Sequence, residues 1–325
     1  MRDSNSDAER RGGGPAALVV EKLSVRVGPI EAVHDLSFVL EAGQRTGLIG
    51  ESGSGKTLTA LAIMGLLPDG LSATGRVLYK GRDLLAMSER DLCAIRGDRL
   101  AMIFQEPMTA LNPVMQIGAQ VAEPLRLHRQ LRGSAARSAA LQALERVKLP
   151  DPAAQMHAYP HQLSGGQRQR AMIAMATACS PAVLLADEPT TALDVTVQAQ
   201  ILDLLVGLVE ERGSSLLLIT HDLPVVANVC QRVLVLYGGH IVETGSVDEV
   251  FSDPRHPYTR ALLDAIPPLD DNEPSRKLPA IPGTVPGLGE FPPGCPFRNR
   301  CPRADAACMA MPPLDERVAC WHPLA

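Results

Sequence analysis

The sequence lacks the features that mark several classes of protein. Five Phe, four Tyr and one Trp are its only aromatic residues among 325, so the core is expected to be aliphatic. No apolar run reaches 18 residues, which argues against a membrane-spanning helix. The formal charge of −5 gives no basic excess for nucleic acid. No internal repeat is visible, so two fused domains of one kind are not expected.

Residues 1–15 are polar, charged and rich in glycine, unlike the apolar segment of a secretory leader. We therefore expect a disordered tail followed by a protein that stays in the cytoplasm. Cysteine is scarce along most of the chain. Three cysteines stand among apolar residues and are expected to be buried: Cys93, Cys179 and Cys230.

The order of strand and helix signals predicts an α/β protein. Short apolar runs bounded by turn residues predict buried strands, and longer runs with helical spacing predict helices between them, so a largely parallel sheet is expected. Predicted strands are 17–24, 36–40, 46–49, 100–104, 183–186, 216–220 and 233–237. Predicted helices are 58–67, 113–149 with a break near 133–134, 165–179, 195–209 and 256–266.

One loop matches the pattern G-x-x-x-x-G-K-[ST] in full, and it stands between a predicted strand and a predicted helix. Its glycines allow successive backbone N–H groups to point at phosphate oxygens, and the helix N-terminus adds a positive dipole. The lysine is expected to reach the β- and γ-phosphates of a nucleotide, and the threonine hydroxyl to bind Mg²⁺. The predicted contacts are Gly50, Glu51, Ser52, Gly53, Ser54, Gly55, Lys56, Thr57 and Leu58.

A second pattern, Val-Leu-Leu-Ala followed by Asp187 and Glu188, predicts a buried strand with two carboxylates at its C-terminal end. This is the edge at which α/β sheets bind ligands. Asp187 fits an acid associated with Mg²⁺, and Glu188 fits a base that polarises the attacking water.

Before the helix that leads to this strand, the sequence reads Leu-Ser-Gly-Gly-Gln. The serine can cap the helix, and the glycines expose N–H groups to an anion. With these motifs in this order, the chain resembles the ABC-transporter nucleotide-binding domain. The resemblance implies that a second, facing domain completes each ATP site, with these residues on the partner's γ-phosphate: Ser164, Gly165, Gly166 and Gln167.

Three further positions take their roles from this resemblance. Gln105, after a predicted strand, matches the glutamine that senses Mg²⁺ or water. Asp194 closes a Thr-Ala-Leu-Asp segment that crosses the dimer interface in the family. His221 matches the histidine that stabilises the γ-phosphate. The implied fold is an ABC-type P-loop NTPase with a RecA-like core, an N-terminal β subdomain and a helical subdomain.

Longer segments, including Ile103–Val114 and Ala186–Gln200, resemble the ATPases of oligopeptide and dipeptide importers. The resemblance implies a nucleotide-binding domain over 16–255, with a helical subdomain near 106–164, and a C-terminal domain over 256–325. It implies an ATPase coupled to import, with two permeases, a second and paralogous ATPase, and an external solute-binding protein. The chain is expected at the cytoplasmic face of the membrane, held by the permeases. Nickel, glutathione and other solutes remain alternatives to peptides.

Two readings from other classes remain open at this point. One is a soluble ABC ATPase, and the other is a nucleotide-gated regulator with little turnover. A departure from the family also matters: no aromatic residue occurs before Phe38, although family members often carry one near the position of Val27 to stack on adenine. The preference for ATP is therefore less secure than phosphate binding.

The C-terminal segment 267–325 holds 13 of the 27 prolines, which excludes long helices and central strands there. Its four cysteines have the spacing C-x5-C-x6-C-x11-C, and a metal is expected to organise the segment because disulfides are rare in the cytoplasm. In the importer family such a tail is associated with a [4Fe-4S] cluster. Zinc, with His322 as a further ligand, and unliganded thiols remain alternatives. The cysteines are Cys295, Cys301, Cys308 and Cys320.

Overall fold

The structure is a computed structural model that describes residues 15–191, 193–266 and 280–325. All but the last residue of the predicted N-terminal tail lies outside these residues. The described chain divides into two compact units, and each is treated by itself. The first comprises 15–20, Ser37–Gln44 and Arg76–Leu217 except residue 192. The second comprises Glu21–Leu36, Arg45–Gly75 and the described residues from Leu218 to Ala325.

Ten strands and eleven helices are described, and we number them in chain order. The strands are β1 (Ala16–Val27), β2 (Ile30–Glu41), β3 (Arg45–Ile49), β4 (Leu71–Tyr79), β5 (Arg82–Asp83), β6 (Leu100–Ile103), β7 (Val183–Asp187), β8 (Ser215–Thr220), β9 (Arg232–Tyr237) and β10 (His240–Ser246). The helices are α1 (Lys56–Met64), α2 (Glu89–Ile95), α3 (Pro107–Ala110), α4 (Ile117–Arg129), α5 (Gly133–Arg146), α6 (Pro152–Gln155), α7 (Gly165–Thr177), α8 (Val195–Arg212), α9 (Leu223–Val229), α10 (Val247–Ser252) and α11 (Pro257–Asp264).

The first unit contains a parallel strand pair and most of the helices. β6 and β7 pair in parallel, with Leu100 opposite Val183 and Ile103 opposite Ala186. Every residue of both strands is buried, which explains why they are continuous apolar runs rather than alternating ones. Between them the chain forms α3 to α7, with no strand among the described residues 104–182.

The second unit is built around the strand order β10-β9-β3. β3 pairs with β9 in parallel, with Thr46 opposite Arg232. β9 and β10 form an antiparallel hairpin whose turn is Gly238–Gly239, and both glycines have positive φ. α1 follows β3 directly, so the strand–loop–helix order that the sequence predicts is confirmed.

The predicted α/β class is confirmed, and most predicted elements are present. Some details were wrong. α1 ends at Gly65, which has φ 63°, rather than near Leu67, because a left-handed glycine terminates the helix. The long helical region breaks at Gln130, which has φ 56°, and α5 begins at Gly133. Cys93, expected to be buried, is exposed on α2.

Other elements were missed. The sequence analysis did not predict β4 or β10, whose residues mix glycine, charge and apolar side chains without clean alternation. Among the described residues, no helix combines the length and the apolar character needed to cross a membrane.

Candidate functional site

The Gly-rich loop of the second unit lies between β3 and α1 and is held close to the neighbouring hairpin. Gly50, Gly53 and Gly55 have positive φ values of 155°, 81° and 96°. A Cβ on Gly50 would lie 2.1 Å from the carbonyl oxygen of Leu236, so only glycine allows this approach. The Gly239 N–H donates to the Ser54 carbonyl at 3.1 Å, which ties the loop to the hairpin turn.

Lys56 is the first residue of α1, and its side chain folds back over the loop. It is 6% exposed, and its Nζ donates to the carbonyls of Gly50 at 2.7 Å and Glu51 at 3.0 Å. Of the other predicted residues of the loop, Ser52 and Thr57 are exposed, Leu58 is half-buried and Ser54 is buried. The loop therefore presents a cation, a hydroxyl and a helix N-terminus together, which is the set of groups that binds a phosphate and its magnesium ion.

His221, also in the second unit, lies at the end of β8 and is exposed. The turn that carries it is fixed on its C-terminal side by Asp222. The N–H of Asp222 donates to Thr220 Oγ1 at 3.0 Å, and its carboxylate caps α9 by accepting from Val225 N–H at 3.1 Å. This local geometry leaves the imidazole at the strand end, as the sequence predicts.

In the first unit, the two predicted carboxylates stand at the C-terminal end of β7. Asp187 is 1% exposed. Glu188 has φ 44°, a left-handed conformation that costs a non-glycine residue free energy. Gln105 Nε2 donates to Glu188 Oε2 at 3.3 Å, so the structure brings these two predicted residues together.

Thr191 also contacts Glu188, although the sequence analysis did not assign it to the site. Its Oγ1 donates to Glu188 Oε2 at 2.8 Å. The Glu188 carboxylate is thus oriented by two donors, an amide and a hydroxyl. Thr191 lies only three residues beyond Glu188, so its position in the Thr-Ala-Leu-Asp motif was the available signal.

The predicted signature residues form the beginning of α7. Ser164 is the N-cap, accepting from Gln167 N–H at 3.3 Å, while Gln167 Oε1 accepts from Ser164 N–H at 2.8 Å. This reciprocal capping box fixes the helix start. Gly165 is exposed, and a Cβ on Gly166 would lie 2.9 Å from Val197 Cγ1.

Asp194, the last of the predicted residues of the first unit, caps α8. Its carboxylate accepts from Val197 N–H at 3.0 Å, and the residue is exposed. The predicted residues thus fall into two groups. Gln105, Ser164–Gln167, Asp187, Glu188 and Asp194 belong to the first unit, whereas the loop 50–58 and His221 belong to the second.

The four C-terminal cysteines of the second unit line one cavity, together with His256, Phe297 and His322 among others. All four thiols are free. Burial raises the pKa of Cys295 to about 11, and raises the pKa of Cys301 and Cys320. Two residues of this cavity, Cys308 and His322, also form a group with Asp305. Their side-chain atoms that could bind a metal lie within 4.8 Å of one another.

A strand, a Gly-rich loop with a terminal lysine, and a helix define the class of P-loop nucleotide-binding proteins. Comparisons with known proteins narrow this class. Residues 33–191 match the ABC transporter family, and residues 242–308 match the family described as the C-terminal region of oligopeptide/dipeptide transporters.

Two relatives match almost the whole chain. The oligopeptide transport ATP-binding protein OppD of Salmonella typhimurium is 46% identical over 332 residues, which covers 99% of this chain and 98% of that protein. OppD of Escherichia coli is 47% identical over 302 residues, covering 91% of this chain and 89% of that protein. The chain therefore belongs to the ABC transporter ATP-binding proteins, in the oligopeptide/dipeptide branch.

Among solved structures, a dimeric post-hydrolysis state of the ATP-binding cassette MJ0796, bound to ADP and Pi, has a TM-score of 0.64. It is 29% identical, and the match covers 71% of this chain and 98% of that one. The predicted fold class is thus confirmed by an independent likeness. The individual roles of the site residues and the predicted domain boundaries stay predictions.

Proposed function

We propose that this protein is the ATP-hydrolysing subunit of an ABC importer for dipeptides or oligopeptides. The observation that carries the proposal is the P-loop of the second unit, with Lys56 turned over it and Thr57 exposed. The match of residues 242–308 to the C-terminal region of oligopeptide/dipeptide transporters supports the peptide branch. The import of peptides is an inference from relatives.

In the proposed mechanism, backbone N–H groups of 50–58 and Lys56 bind the phosphates. Thr57 and Asp187 would bind Mg²⁺, which would neutralise negative charge on the phosphate oxygens. Glu188 takes the proton of that water, and Gln105 and Thr191 hold its carboxylate in place. His221 donates to the γ-phosphate. Positioning and electrostatics then account for most of the catalysis, as in other phosphoryl transfers.

A second copy of the fold is part of this proposal. The capped N-terminus of α7, with Ser164 and Gly166, would face the γ-phosphate bound by a partner ATPase, which we propose is a paralogue. We further propose two permeases, an external solute-binding protein, and a peripheral position at the cytoplasmic face of the membrane. The solved dimer of MJ0796 supports a paired arrangement, as a property of that protein.

The test of the hydrolytic assignment is Glu188→Gln in the full-length chain. An amide cannot accept the proton, so we expect turnover to fall about a hundredfold or more while ATP binding is retained. Glu145→Gln, at an exposed position of α5, is the control and should hydrolyse ATP like the wild type. Undiminished hydrolysis by Glu188→Gln would refute Glu188 as the base.

The substrate class is tested by uptake in a deletion strain. Loss of labelled dipeptide and oligopeptide uptake, restored by the wild-type chain and not by Glu188→Gln, would support peptide import. Loss of nickel uptake alone would move the protein to another solute. If no uptake changed, the importer assignment would be abandoned in favour of a soluble ATPase or a nucleotide-gated regulator.

We also propose that the four C-terminal cysteines bind a [4Fe-4S] cluster. Four free thiols lining one cavity supply the thiolate set that such clusters need.

Zinc has its own supporting observation. His322 Nε2 lies 2.9 Å from Asp305 Oδ1, and the Cys308 sulfur is close to both. Because burial raises the pKa of the Cys295 thiol to about 11, that thiol is protonated at neutral pH without a metal. Binding of either metal must therefore release protons, and its affinity should fall as the pH is lowered.

The metal is identified by iron, zinc and acid-labile sulfide content after anaerobic purification. About four irons and four sulfides per chain, lost in Cys308→Ser and kept in Cys93→Ser, would support the cluster. The control is apt because Cys93 is exposed on α2, outside the C-terminal region. One zinc without sulfide would replace the cluster by a zinc site, and neither metal would leave the thiols unliganded.

A further inference from the structure

Four of the chain's few aromatic side chains form one cluster in the second unit. Tyr237 is its centre, with ring centroids 4.5 Å from Tyr258, 5.3 Å from Phe297 and 5.9 Å from Phe291. Tyr237 ends β9, the strand that pairs with β3 and so lies beside the P-loop. The other three side chains come from the C-terminal region, by which we mean residues 256–266 and 280–325. The cluster therefore packs this region against the strand that supports the loop.

From this cluster, the C-terminal region reaches Glu51, the second residue of the P-loop. The backbone N–H of Glu51 donates to the Tyr258 hydroxyl at 2.9 Å. Its carboxylate accepts two hydrogen bonds from Arg300, Nη1 to Oε2 at 2.7 Å and Nη2 to Oε1 at 3.3 Å. Its carbonyl accepts from Lys56 Nζ at 3.0 Å. Glu51 therefore joins the phosphate-binding lysine to two residues of the C-terminal region.

Arg300 is built into this position from several sides. Its side chain is 6% exposed. Its Nε donates to the Pro282 carbonyl at 2.8 Å, and its Nη1 donates also to the Tyr237 hydroxyl at 3.2 Å. Its guanidinium carbon lies 5.9 Å from the ring centres of Tyr237 and Phe297. A buried cation needs a counter-ion, and Glu51 supplies it.

The pairing also has a consequence for the loop. A nucleotide brings several negative charges to 50–57, where a carboxylate without its cation would repel them. The two-pronged contact with Arg300 removes this repulsion and fixes the direction of the Glu51 side chain, while Tyr258 fixes its backbone N–H. The contact with Arg300 joins two residues that are 249 positions apart in the chain.

We propose that Arg300 and Tyr258 are positioning residues for the P-loop, through which the C-terminal region sets the affinity of the chain for ATP. The inference rests on the proposed nucleotide site. Neutralisation of Glu51 by Arg300 can be distinguished by measurement from a role of Arg300 in packing alone. If Arg300 acts by neutralising Glu51, then removing the Glu51 charge must repair the loss of Arg300, whereas two losses of packing would add.

The experiment measures binding of the fluorescent analogue mant-ATP to the full-length chain. We expect Arg300→Met to weaken binding about tenfold, the effect of one uncompensated charge close to the phosphates. Adding Glu51→Gln to Arg300→Met should recover most of that loss. Arg317→Met is the control, because Arg317 lies in the same part of the chain, with a side chain that is 22% exposed, and pairs with Asp253 instead of Glu51. It should bind like the wild type.

Two results would overturn the proposal. One is unchanged binding by Arg300→Met, and the other is equally weak binding by Arg300→Met with and without Glu51→Gln. A salt series adds a check, since the loss in Arg300→Met should shrink at high ionic strength if repulsion causes it. If wild-type protein does not bind mant-ATP, the proposed function fails as well, so the two failures are distinguishable.

Arg300→Met removes a buried ion-pair partner and could prevent folding, which thermal unfolding would show. In that case Arg300→Lys and Tyr258→Phe decide. Lysine keeps the positive charge but lacks the bidentate guanidinium group, so the affinity for mant-ATP should stay within about threefold of the wild type. Phenylalanine keeps the ring and removes the acceptor of the Glu51 N–H, so affinity should fall about threefold. Wild-type affinity in Tyr258→Phe would overturn the proposal.

Discussion

The P-loop segment and the C-terminal segment belong to the same unit and touch at Glu51, yet they are organised in different ways. The P-loop lies between β3 and α1, and its path is set by glycines with positive φ and by backbone hydrogen bonds. The C-terminal segment 280–325 has one short 3₁₀ turn, Ala306–Met309, and isolated bridge pairs. Its position depends on buried side chains, namely the aromatic cluster and Arg300.

This difference predicts which substitutions each segment tolerates. Where the backbone defines the path, the sensitive positions are those at which a Cβ cannot fit. Where side chains define the path, the sensitive positions are the large buried ones, because few helix or strand hydrogen bonds support the chain when they are removed. The following predictions test the two halves of this comparison.

The largest effect is expected in the loop, for Gly50→Ala. The new Cβ would lie 2.1 Å from the Leu236 carbonyl oxygen, a backbone atom that cannot move aside cheaply. We expect a loss of about 4 kcal/mol or more in the free energy of unfolding, or no folded protein. Urea unfolding followed by far-UV circular dichroism measures it.

Gly53→Ala is the matched control in the same loop. Gly53 also has a positive φ, of 81°, but nothing lies within 4 Å of its Cβ position. Only backbone strain of about 1–2 kcal/mol is expected there. Equal losses in the two variants would show that steric approach to β9 does not determine the loop.

The next effect is expected in the C-terminal segment, for Phe297→Ala. Phe297 is 1% exposed and packs on Tyr237 and Tyr258. We expect a loss of about 3–4 kcal/mol in the free energy of unfolding. Trp321→Ala, at a side chain that is 43% exposed, should cost less than about 1 kcal/mol. Similar losses for both would contradict a segment organised by its buried aromatic side chains.

The smallest predicted effect is a dependence of stability on pH, which comes from His240 on β10. His240 begins β10 and stacks on His34 at 4.3 Å. Burial, with a smaller contribution from His34, lowers the pKa of His240 to about 4. Because the folded pKa lies below the unfolded value of about 6.5, the unfolded chain binds more protons between these values. Stability is therefore lost as the pH falls from about 6.5 towards 4.

Between pH 7 and pH 5 this group should cost the wild type about 1–2 kcal/mol. His240→Phe keeps an aromatic ring that does not titrate. Its free energy of unfolding should therefore fall less between pH 7 and pH 5, by that amount. His161→Phe, at an exposed position, is the control for the change from histidine to phenylalanine. Urea unfolding at both pH values measures it, and an identical interval in His240→Phe would contradict the assignment.

Much of the fold could be read from local pattern. β3, β6, β7 and β8 are short apolar runs, and their burial on all sides gives a signal that needs no long-range information. β4 was missed because its first six residues include glycine and exposed polar side chains and none of them is buried, so its strand conformation comes from its neighbours. Cys93 was wrongly expected to be buried because apolar neighbours in sequence do not fix the face of a helix.

The sequence by itself determined the P-loop, the two carboxylates of β7 and the cap of α7. Each of these is a contiguous motif whose chemistry depends on backbone conformation over a few residues. The contacts of Glu188 with Gln105, and of Glu51 with Tyr258 and Arg300, were decided only by the tertiary structure. They join residues far apart in the chain, and hydrogen bonds between such residues leave no local pattern, because any of many polar side chains could have supplied the same atoms.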